Sequence, residues 1–385
     1  PLPDGIGGQV IEQAILDLID SAEETIDYCV YNTSREFVVN ALKAAHQRGV
    51  RVRVLTDNQT WNSAFDPPPP FPVFYGSPGD GIMHNKFIVV DAALPDKATV
   101  VAGSMNFTNG NMFEDYNNVL IIRDQALAQA YTTEFEEMWG SSGPQPDYTQ
   151  ARFGEDKTDN TPHLFTIGGI EVECYFSPSD HTESHIIGTL EAAQHDIEVA
   201  MWTFTSDPLG DALVQAHQQG RDVRAIIDQG NEYPYLLAQG LNVTDHPPDE
   251  MIHHKYAIVD AQVPGPATAV VTGSHNWTWS ADHINDENTL ILHDAGIANL
   301  FLQEFEARWH ELVTPATEVN VQPLRCYPNP ATDHVVLEGL PQGALTWAFV
   351  GTDGRLLEGG RLPEGAERRL EVRHLPKGAC FLLVW

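Results

Sequence analysis

The order of apolar and polar positions changes period along this chain, and the same series of changes occurs twice. An alternating apolar run from Ile26 to Tyr31 predicts a strand. Phe37, Val38, Ala41, Leu42 and Ala45 then fall on one face of a helix, Gly49 suits that helix's C-terminus, and Val50 to Leu55 predicts the next strand. The second series reads strand from Ile197 to Phe204, helix through Leu209, Ala212, Leu213, Val214 and Ala216, glycine at Gly220, and strand from Val223 to Ile227. Ile26 recurs as Ile197, Gly49 as Gly220 and Asp57 as Asp228, each 171 residues further on. A constant offset over that span marks an internal duplication. A strand, a helix and a strand of this length predict a right-handed crossover and a parallel pair in each copy.

The rest of the chain divides around the duplication. The second copy opens on a further strand, Glu171 to Phe176, followed by Ser177-Pro178; its counterpart in the first copy is expected at or before residue 5, largely upstream of this sequence. Gly140 to His163 is polar and rich in glycine and proline and reads as a linker. Beyond Leu312 the chain turns to short alternating runs separated by turn residues, which predicts a small all-β module. The expected domains are residues 1–140, a linker over 141–163, residues 164–314, and a C-terminal module over 322–385. The fold class is α/β, with two duplicated lobes and a small β-sandwich.

Composition narrows the class. Apolar residues form 42% of 385, enough for a packed core, and no apolar run approaches the ~20 residues of a membrane span. Pro1 to Gly5 carries neither a basic region nor an apolar leader core, so a signal peptide is expected to be absent from this sequence. The formal net charge is −33, from 54 acidic and 21 basic residues, and such a surface repels polyanions at long range. Cys29, Cys174, Cys326 and Cys380 contain no C-x-x-C pair, which argues against a zinc site. Cys29 and Cys174 lie in apolar runs and read as buried thiols, while Cys326 and Cys380 flank the C-terminal segment and are able to pair in an exported protein.

Chemistry enters with one motif that is also duplicated. His84-x-Lys86-x4-Asp91 is followed by Gly103-Ser104-x-Asn106, and His253-x-Lys255-x4-Asp260 by Gly273-Ser274-x-Asn276. Residues between each Lys and Asp are β-branched or aromatic, apart from Ala257, so each motif is expected on a strand, with His and Lys two apart on one face. Two histidines, two lysines and two asparagines converging on one point suit a tetrahedral phosphate. The lysines offset its charge, and Asn and Ser bind its oxygens. One histidine attacks phosphorus to form a phosphohistidine; the other protonates the leaving oxygen and then deprotonates water. No step requires a metal or other cofactor. His254 and His275 have no twin in the first copy and are assigned to packing or to the rim.

The paired motifs resemble those of the phospholipase D superfamily, over roughly residues 6 to 312. The resemblance implies two α/β/α lobes related by a pseudo-twofold, with both motifs in one cleft. It implies His84, Lys86, Asn106, His253, Lys255 and Asn276 as catalytic positions, with Asp91 and Asp260 as structural braces. The family usually places an acidic residue after Gly-Ser-x-Asn that orients the histidine of the opposite lobe. Glu287 fills that place in the second copy, whereas the first has Asn117-Asn118, with Glu114 and Asp115 nearby. A carboxylate partner makes a histidine more basic, so His84 is expected as nucleophile and His253 as general acid and base. Ser104, Ser274, Tyr31 and Trp202 are expected at the substrate.

Two substrate classes stay open. A phospholipid is favoured by apolar rim candidates Trp61, Phe65, Phe71 and Phe74 around Pro67 to Pro70, with Tyr233, Pro234 and Tyr235 in the second copy, and such loops suit contact with a membrane surface. A metal-independent endonuclease is the alternative, since aromatic residues also stack bases. Arg51, Arg53, Arg221 and Arg224 are expected at the far end of their strands from the cleft. Both half-sites lie in one chain, so a monomer suffices. The C-terminal segment, with Tyr327-Pro-Asn-Pro, Thr352-Asp-Gly-Arg355 and Leu375-Pro-Lys-Gly378, resembles the type IX secretion sorting domain, without its usual terminal basic residues. That resemblance implies a secretion machinery as partner and a secreted or bacterial cell-surface location.

Overall fold

A computed structural model describes residues 7–246, residues 251–313 and, from residue 325, the strands and some connections of a C-terminal unit. The chain divides into two units, Pro1–Val313 and Thr314–Trp385.

The first lobe runs α1 (Gly8–Ser21), β1 (Thr25–Val30), α2 (Glu36–Gln47), β2 (Arg51–Thr56), β3 (Val73–Tyr75), β4 (Lys86–Val90), β5 (Thr99–Gly103), α3 (Asn109–Phe113), β6 (Val119–Arg123) and α4 (Gln125–Trp139). The second runs β7 (Leu164–Ile167), β8 (Ile170–Ser177), α5 (Thr182–Glu191), β9 (Asp196–Thr203), α6 (Asp207–Gln218), β10 (Asp222–Gln229), α7 (Glu232–Ala238), β11 (Asn242–Asp245), β12 (Lys255–Val259), β13 (Ala269–Gly273), α8 (Trp279–His283), β14 (Glu287–His293) and α9 (Ala295–Val313). The sheets are ordered β3-β2-β1-β4-β5-β6 and β11-β10-β9-β12-β13-β14-β8-β7. Six positions correspond strand for strand, and the second sheet adds β8 and β7. The expected partner of β8 in the first copy falls at residue 5 or earlier, outside the described residues.

The parallel pairs read from the sequence are present: β1 with β2, and β9 with β10. The motif strands β4 and β12 then run antiparallel beside β1 and β9. All five residues of each are buried, because helices cover both faces. Helix α4 shows how one covering layer is set. Asp124 caps its start by accepting from the Leu127 N–H at 2.8 Å, Gly140 ends it in the left-handed region (φ 78°), and Leu127, Tyr131, Phe135 and Met138 recur at helical spacing on the buried face. Full burial of each such side chain contributes about 2 kcal/mol, so Phe135→Ala would strip at least that much from this face.

The lobes share a core. Tyr131 of α4 packs edge-on against Phe176 of β8, with ring centroids 5.0 Å apart. Two short bridges cross between the lobes, Met83 with Asp286 and Tyr116 with Ile252, and each is the other's counterpart in the duplication. Both lie immediately before a motif histidine, so the same backbone contacts that join the lobes also set the site.

The C-terminal unit contains β15 (Arg325–Tyr327), β16 (His334–Glu338), β17 (Leu345–Gly351), β18 (Leu356–Leu362), β19 (Arg369–Glu371) and β20 (Cys380–Val384) in two three-stranded sheets, β15-β16-β19 and β18-β17-β20. Val335, Leu337, Phe349 and Leu370 form its core. Most of the turn motifs singled out in this segment, and the Cys380 side chain on which the suggested pairing with Cys326 depends, lie outside the described residues.

Candidate active site

Each motif strand is fixed at both ends. Asp91 and Asp260, directly after β4 and β12, adopt the left-handed conformation (φ 51° and 52°). The Asp91 carboxylate accepts from the N–H groups of Glu23, Glu24 and Thr25 at 2.7–2.9 Å. Asp260 does the same for Gln194, His195 and Asp196. At the other end, Asp57 accepts from the Met83 N–H and Asp228 from the Ile252 N–H, both at 2.9 Å. The duplication had matched Asp57 with Asp228 without giving them a role.

The Gly-Ser-x-Asn turns follow β5 and β13. A Cβ on Gly103 would lie 2.2 Å from the Asn118 carbonyl oxygen, and one on Gly273 2.1 Å from that of Asn288, so only glycine fits. Thr108 and Thr278 then cap α3 and α8. These turns bring Asn106 and Asn276 to the site, where the side-chain oxygen of each is buried and makes no hydrogen bond among the described residues. The same unsatisfied amide oxygen at the equivalent place in each lobe marks both turns as polar contacts open to a ligand.

The four basic residues are all buried: His84, Lys86, His253 and Lys255. His84 and His253 stand just before their strands rather than within them. Lys86 Nζ donates to the His84 carbonyl at 2.7 Å and Lys255 Nζ to that of His253 at 2.9 Å. Lys86 Nζ lies 5.2 Å from the centre of the Tyr31 ring and Lys255 Nζ 4.8 Å from that of Trp202. Those two rings also flank His84 and His253, at 5.0 and 4.8 Å. Tyr31 and Trp202 therefore stand at the site as equivalents.

The two histidines differ in their partners. His84 Nδ1 is 2.8 and 2.9 Å from the oxygens of Glu287, which reaches across from the second lobe. His253 Nδ1 is 2.8 Å from Asn117 Oδ1, which reaches across from the first. Asn117 Nδ2 donates to the Asn111 carbonyl, so its oxygen faces the histidine and accepts. Each histidine thus carries its proton on Nδ1 and turns the Nε2 lone pair to the site.

Ser104 and Ser274 depart from the expected substrate contacts. Ser104 Oγ donates to Asn117 Oδ1 at 2.9 Å, and Ser274 Oγ to Glu287 Oε2 at 2.6 Å. Both are fully buried behind the groups that orient the histidines. The turn puts the serine side chain back toward β6 or β14 rather than forward to the site.

Burial sets the electrostatics. It pushes His84 down to about 4 despite the opposing pull of Glu287. Burial also lowers Lys86 to about 7, against the attraction of Glu287 and Asp57. His253 and Lys255 are lowered well below their ordinary values, first by burial; Lys255 and Lys86 add to the effect on His253, and Lys86 to that on Lys255. Burial alone would raise Glu287, but His84 and Lys86 hold it below the carboxylate range. Four basic groups of one cluster that weaken one another's protonation form a site for an anion.

Other expectations change with the structure. Phe65, Phe71 and Phe74 are not at a rim: they are 1%, 4% and 7% exposed, in the first lobe's core. Their proline-rich loop folds back on its own sheet. Trp61 is 72% exposed, and Tyr233 and Tyr235 are half-buried against the second core. His254 packs between the lobes, with Nδ1 3.3 Å from Asn118 Oδ1 and Nε2 3.2 Å from Glu304. His275 is buried within the electrostatic reach of Glu287, with neither ring nitrogen hydrogen-bonded among the described residues. Arg53 is fully buried in a two-bonded pair with Asp27 and contacts Glu136; Arg224 bonds Glu198 and Glu306. These cations are consumed inside the fold.

The sequence reading missed Lys157. It comes from the segment between the lobes yet is buried, with Nζ 2.5 Å from Glu134, 3.2 Å from Asp286 and 2.8 Å from the Ser177 carbonyl oxygen.

The fold and this paired site are those of a phospholipase D-like scaffold. The chain belongs to the family described as "Cardiolipin synthase, PLD-like domain", whose pattern matches residues 15–139 and 186–309, more than half of the chain and parts of both lobes. It is 36% identical over 144 residues to the mitochondrial cardiolipin hydrolase of Mus musculus, a match covering 36% of this chain and 62% of that protein. It is 34% identical over 132 residues to a phospholipase D of Rickettsia conorii, covering 30% of this chain and 58% of that protein. The matched region thus spans less than two thirds of either relative. Among solved structures, the phosphatidylserine synthase of Haemophilus influenzae shares the fold, with a TM-score of 0.60 at 16% identity over 81% of this chain and 87% of that one.

Proposed function

We propose that this protein hydrolyses a phosphodiester through a covalent intermediate on His84, and that its substrate is a phospholipid whose head group leaves. The observation that carries the reading is the cluster of two His-x-Lys arms, each histidine held by a side chain of the opposite lobe.

His84 Nε2 attacks phosphorus, and the bond to the leaving oxygen breaks as His253 Nε2–H donates its proton to that oxygen. Water then attacks the phosphohistidine, His253 takes up its proton, and the phosphorus–nitrogen bond breaks. Glu287 stabilises the positive charge that develops on His84 during attack. Asn117 fixes the tautomer of His253 without stabilising a charge to the same extent, which suits a group that must release a proton easily. Lys86 and Lys255 offset the phosphate charge, and the amides of Asn106 and Asn276 donate to its oxygens. A bound phosphodiester in turn raises the proton affinity of His253 and both lysines, restoring the charged forms that burial disfavours.

A lipid is favoured over nucleic acid by charge. The net charge is −33, and Arg53 and Arg224, both close to the sheets, are engaged with internal carboxylates. A polyanion needs a run of unpaired cations along its backbone. The names of the curated relatives point the same way.

The test is a paired assay in EDTA, with phosphatidylcholine vesicles in one tube and plasmid DNA in the other. Choline release without nicking supports the lipid reading. Nicking without choline release overturns it in favour of a metal-independent endonuclease. We further propose that the chain is exported and that its C-terminal β unit addresses it to a secretion machinery. Deleting the segment from residue 322 should then retain the enzyme inside the producing cell.

A further inference from the structure

The segment between the lobes does more than connect them. Phe153 packs at right angles to Phe74, with centroids 5.6 Å apart, and a Cβ on Gly76 would lie 2.4 Å from the Phe153 ring. The Gly154 N–H donates to Asp286 Oδ1 at 2.8 Å, and Lys157 reaches the same oxygen at 3.2 Å and Glu134 at 2.5 Å. All three charged groups are buried, and the second oxygen of Asp286 has no hydrogen-bond partner among the described residues. A lone buried carboxylate so poorly solvated is costly unless a cation stands against it.

Asp286 is also the residue that carries the backbone of His84. Its N–H donates to the Ile82 carbonyl at 3.0 Å and its carbonyl accepts from the His84 N–H at 2.9 Å. The next residue, Glu287, holds the His84 ring. The second lobe solves the same problem differently. Tyr116 takes the place of Asp286, makes the matching bridge to Ile252, and lies under the Arg308 guanidinium at 4.1 Å. Arg308 comes from α9 and pairs with Glu304 at 3.4 Å. The cation supporting His253 thus comes from its own lobe's last helix, while the cation supporting His84 comes from the segment between the lobes.

We propose that Lys157 is a positioning residue for the nucleophile: by holding Asp286 ionised and in place, the interlobe segment fixes residues 286 and 287 and thereby the setting and proton affinity of His84. The proposal rests on the assignment of His84 as nucleophile. The groups facing His84 are Glu287 from β14, Lys86 from β4, Lys255 from β12, His253, and Tyr31 after β1. Those facing Lys157 are Glu134, Asp286, the Ser177 carbonyl and the Cys29 thiol, with Asp180 facing Glu134. Removing a cation from this network raises the proton affinity of nearby groups, and removing an anion lowers it.

The experiment is a histidine NMR titration of His84 in the full chain, with the signal assigned by His84→Gln, in wild type, Lys157→Met, Lys157→Arg and Asp286→Asn. Each variant's kcat/KM is followed against pH on phosphatidylcholine. Attack requires neutral His84, so a raised proton affinity moves the acid limb to higher pH. We expect Lys157→Met, which lets Asp286 take up a proton and loosens Glu287, to move the His84 titration and the acid limb down by several tenths of a pH unit or more, Asp286→Asn to move both the same way, and Lys157→Arg to leave both in place. Asp286→Asn keeps the Lys157–Glu134 pair balanced, so it decides the question should Lys157→Met not fold. Titrations of His84 that coincide in wild type and Asp286→Asn overturn the proposal. Absence of turnover in wild type, with the NMR order intact, overturns the phospholipid reading instead.

Discussion

The two lobes were built from one plan and have diverged at single positions. Both hold a histidine by its Nδ1–H, but the first lobe's histidine faces a carboxylate and the second's an amide. Both rest the backbone before that histidine on a bridge, but one bridge is backed by a buried ion triad and the other by a tyrosine under an arginine. A symmetric scaffold brings two equal basic arms to one phosphate; small asymmetries behind those arms then give them different tasks. Chemistry that needs a nucleophile and an acid from identical side chains obtains the difference from the layer of residues behind them.

The largest expected break is loss of either arm. His84→Ala or His253→Ala should lower kcat by at least about 10³-fold while leaving the thermal transition within a few degrees of wild type, measured by choline release and calorimetry. The next exchanges the partners. Glu287→Gln should lower kcat about 10–100-fold, since the charge on His84 loses its carboxylate, whereas Asn117→Gln, which keeps an amide, should cost less. Equal losses would mean that the two lobes are not functionally distinct.

A pH profile sharpens the contrast between histidines and lysines. Lys86 is pushed down to about 7, so its charged form, which the phosphate needs, prevails below that pH in the free enzyme. The quantity kcat/KM, which reports the free enzyme, should therefore fall as pH rises, no later than about 7, because Lys255 and the acid His253, which burial also lowers, must be charged as well. His84, lowered to about 4, stays neutral and nucleophilic into the acid range. A kcat/KM profile flat from pH 6 to 9 would contradict this.

Asp91→Ala and Asp260→Ala test the symmetric part of the plan. Each removes the acceptor of several backbone N–H groups and should lower stability by about 2–3 kcal/mol in denaturant unfolding, to a similar degree in both lobes. Ser104→Ala and Ser274→Ala should have the smallest effect: a reduced kcat with KM nearly unchanged, because both serines donate to the side chains that orient the histidines.

Much of this was legible in the chain. The constant offset exposed the duplication, and the alternation around Ile26, Val50, Ile197 and Val223 exposed the parallel pairs, because buried strands and covered helices leave periodic traces. Glu287 was legible because it stands in a pattern with Gly-Ser-x-Asn. The misses share a cause. The apolar character of Phe65, Phe71 and Phe74 could not show whether their loop faces solvent or folds back on its sheet. Lys157 lies in a polar stretch without period, and its burial depends on Glu134 and Asp286, residues distant in sequence from it and from each other. The serines were read by type, while their direction depends on a glycine turn seen only in three dimensions. Helix α1 was also missed, although Ile11, Ile15 and Ile19 recur at helical spacing.

The central claim is that His84 and His253 do different work. The direct test is base-quenched turnover of phosphatidylcholine by the His253→Ala variant, followed by mass spectrometry of the histidine-containing peptides. The account predicts a phosphatidyl adduct on the peptide carrying His84, with none on the His253 peptide in wild type. An adduct on His253 in wild type, or in the His84→Ala variant at comparable yield, would contradict it.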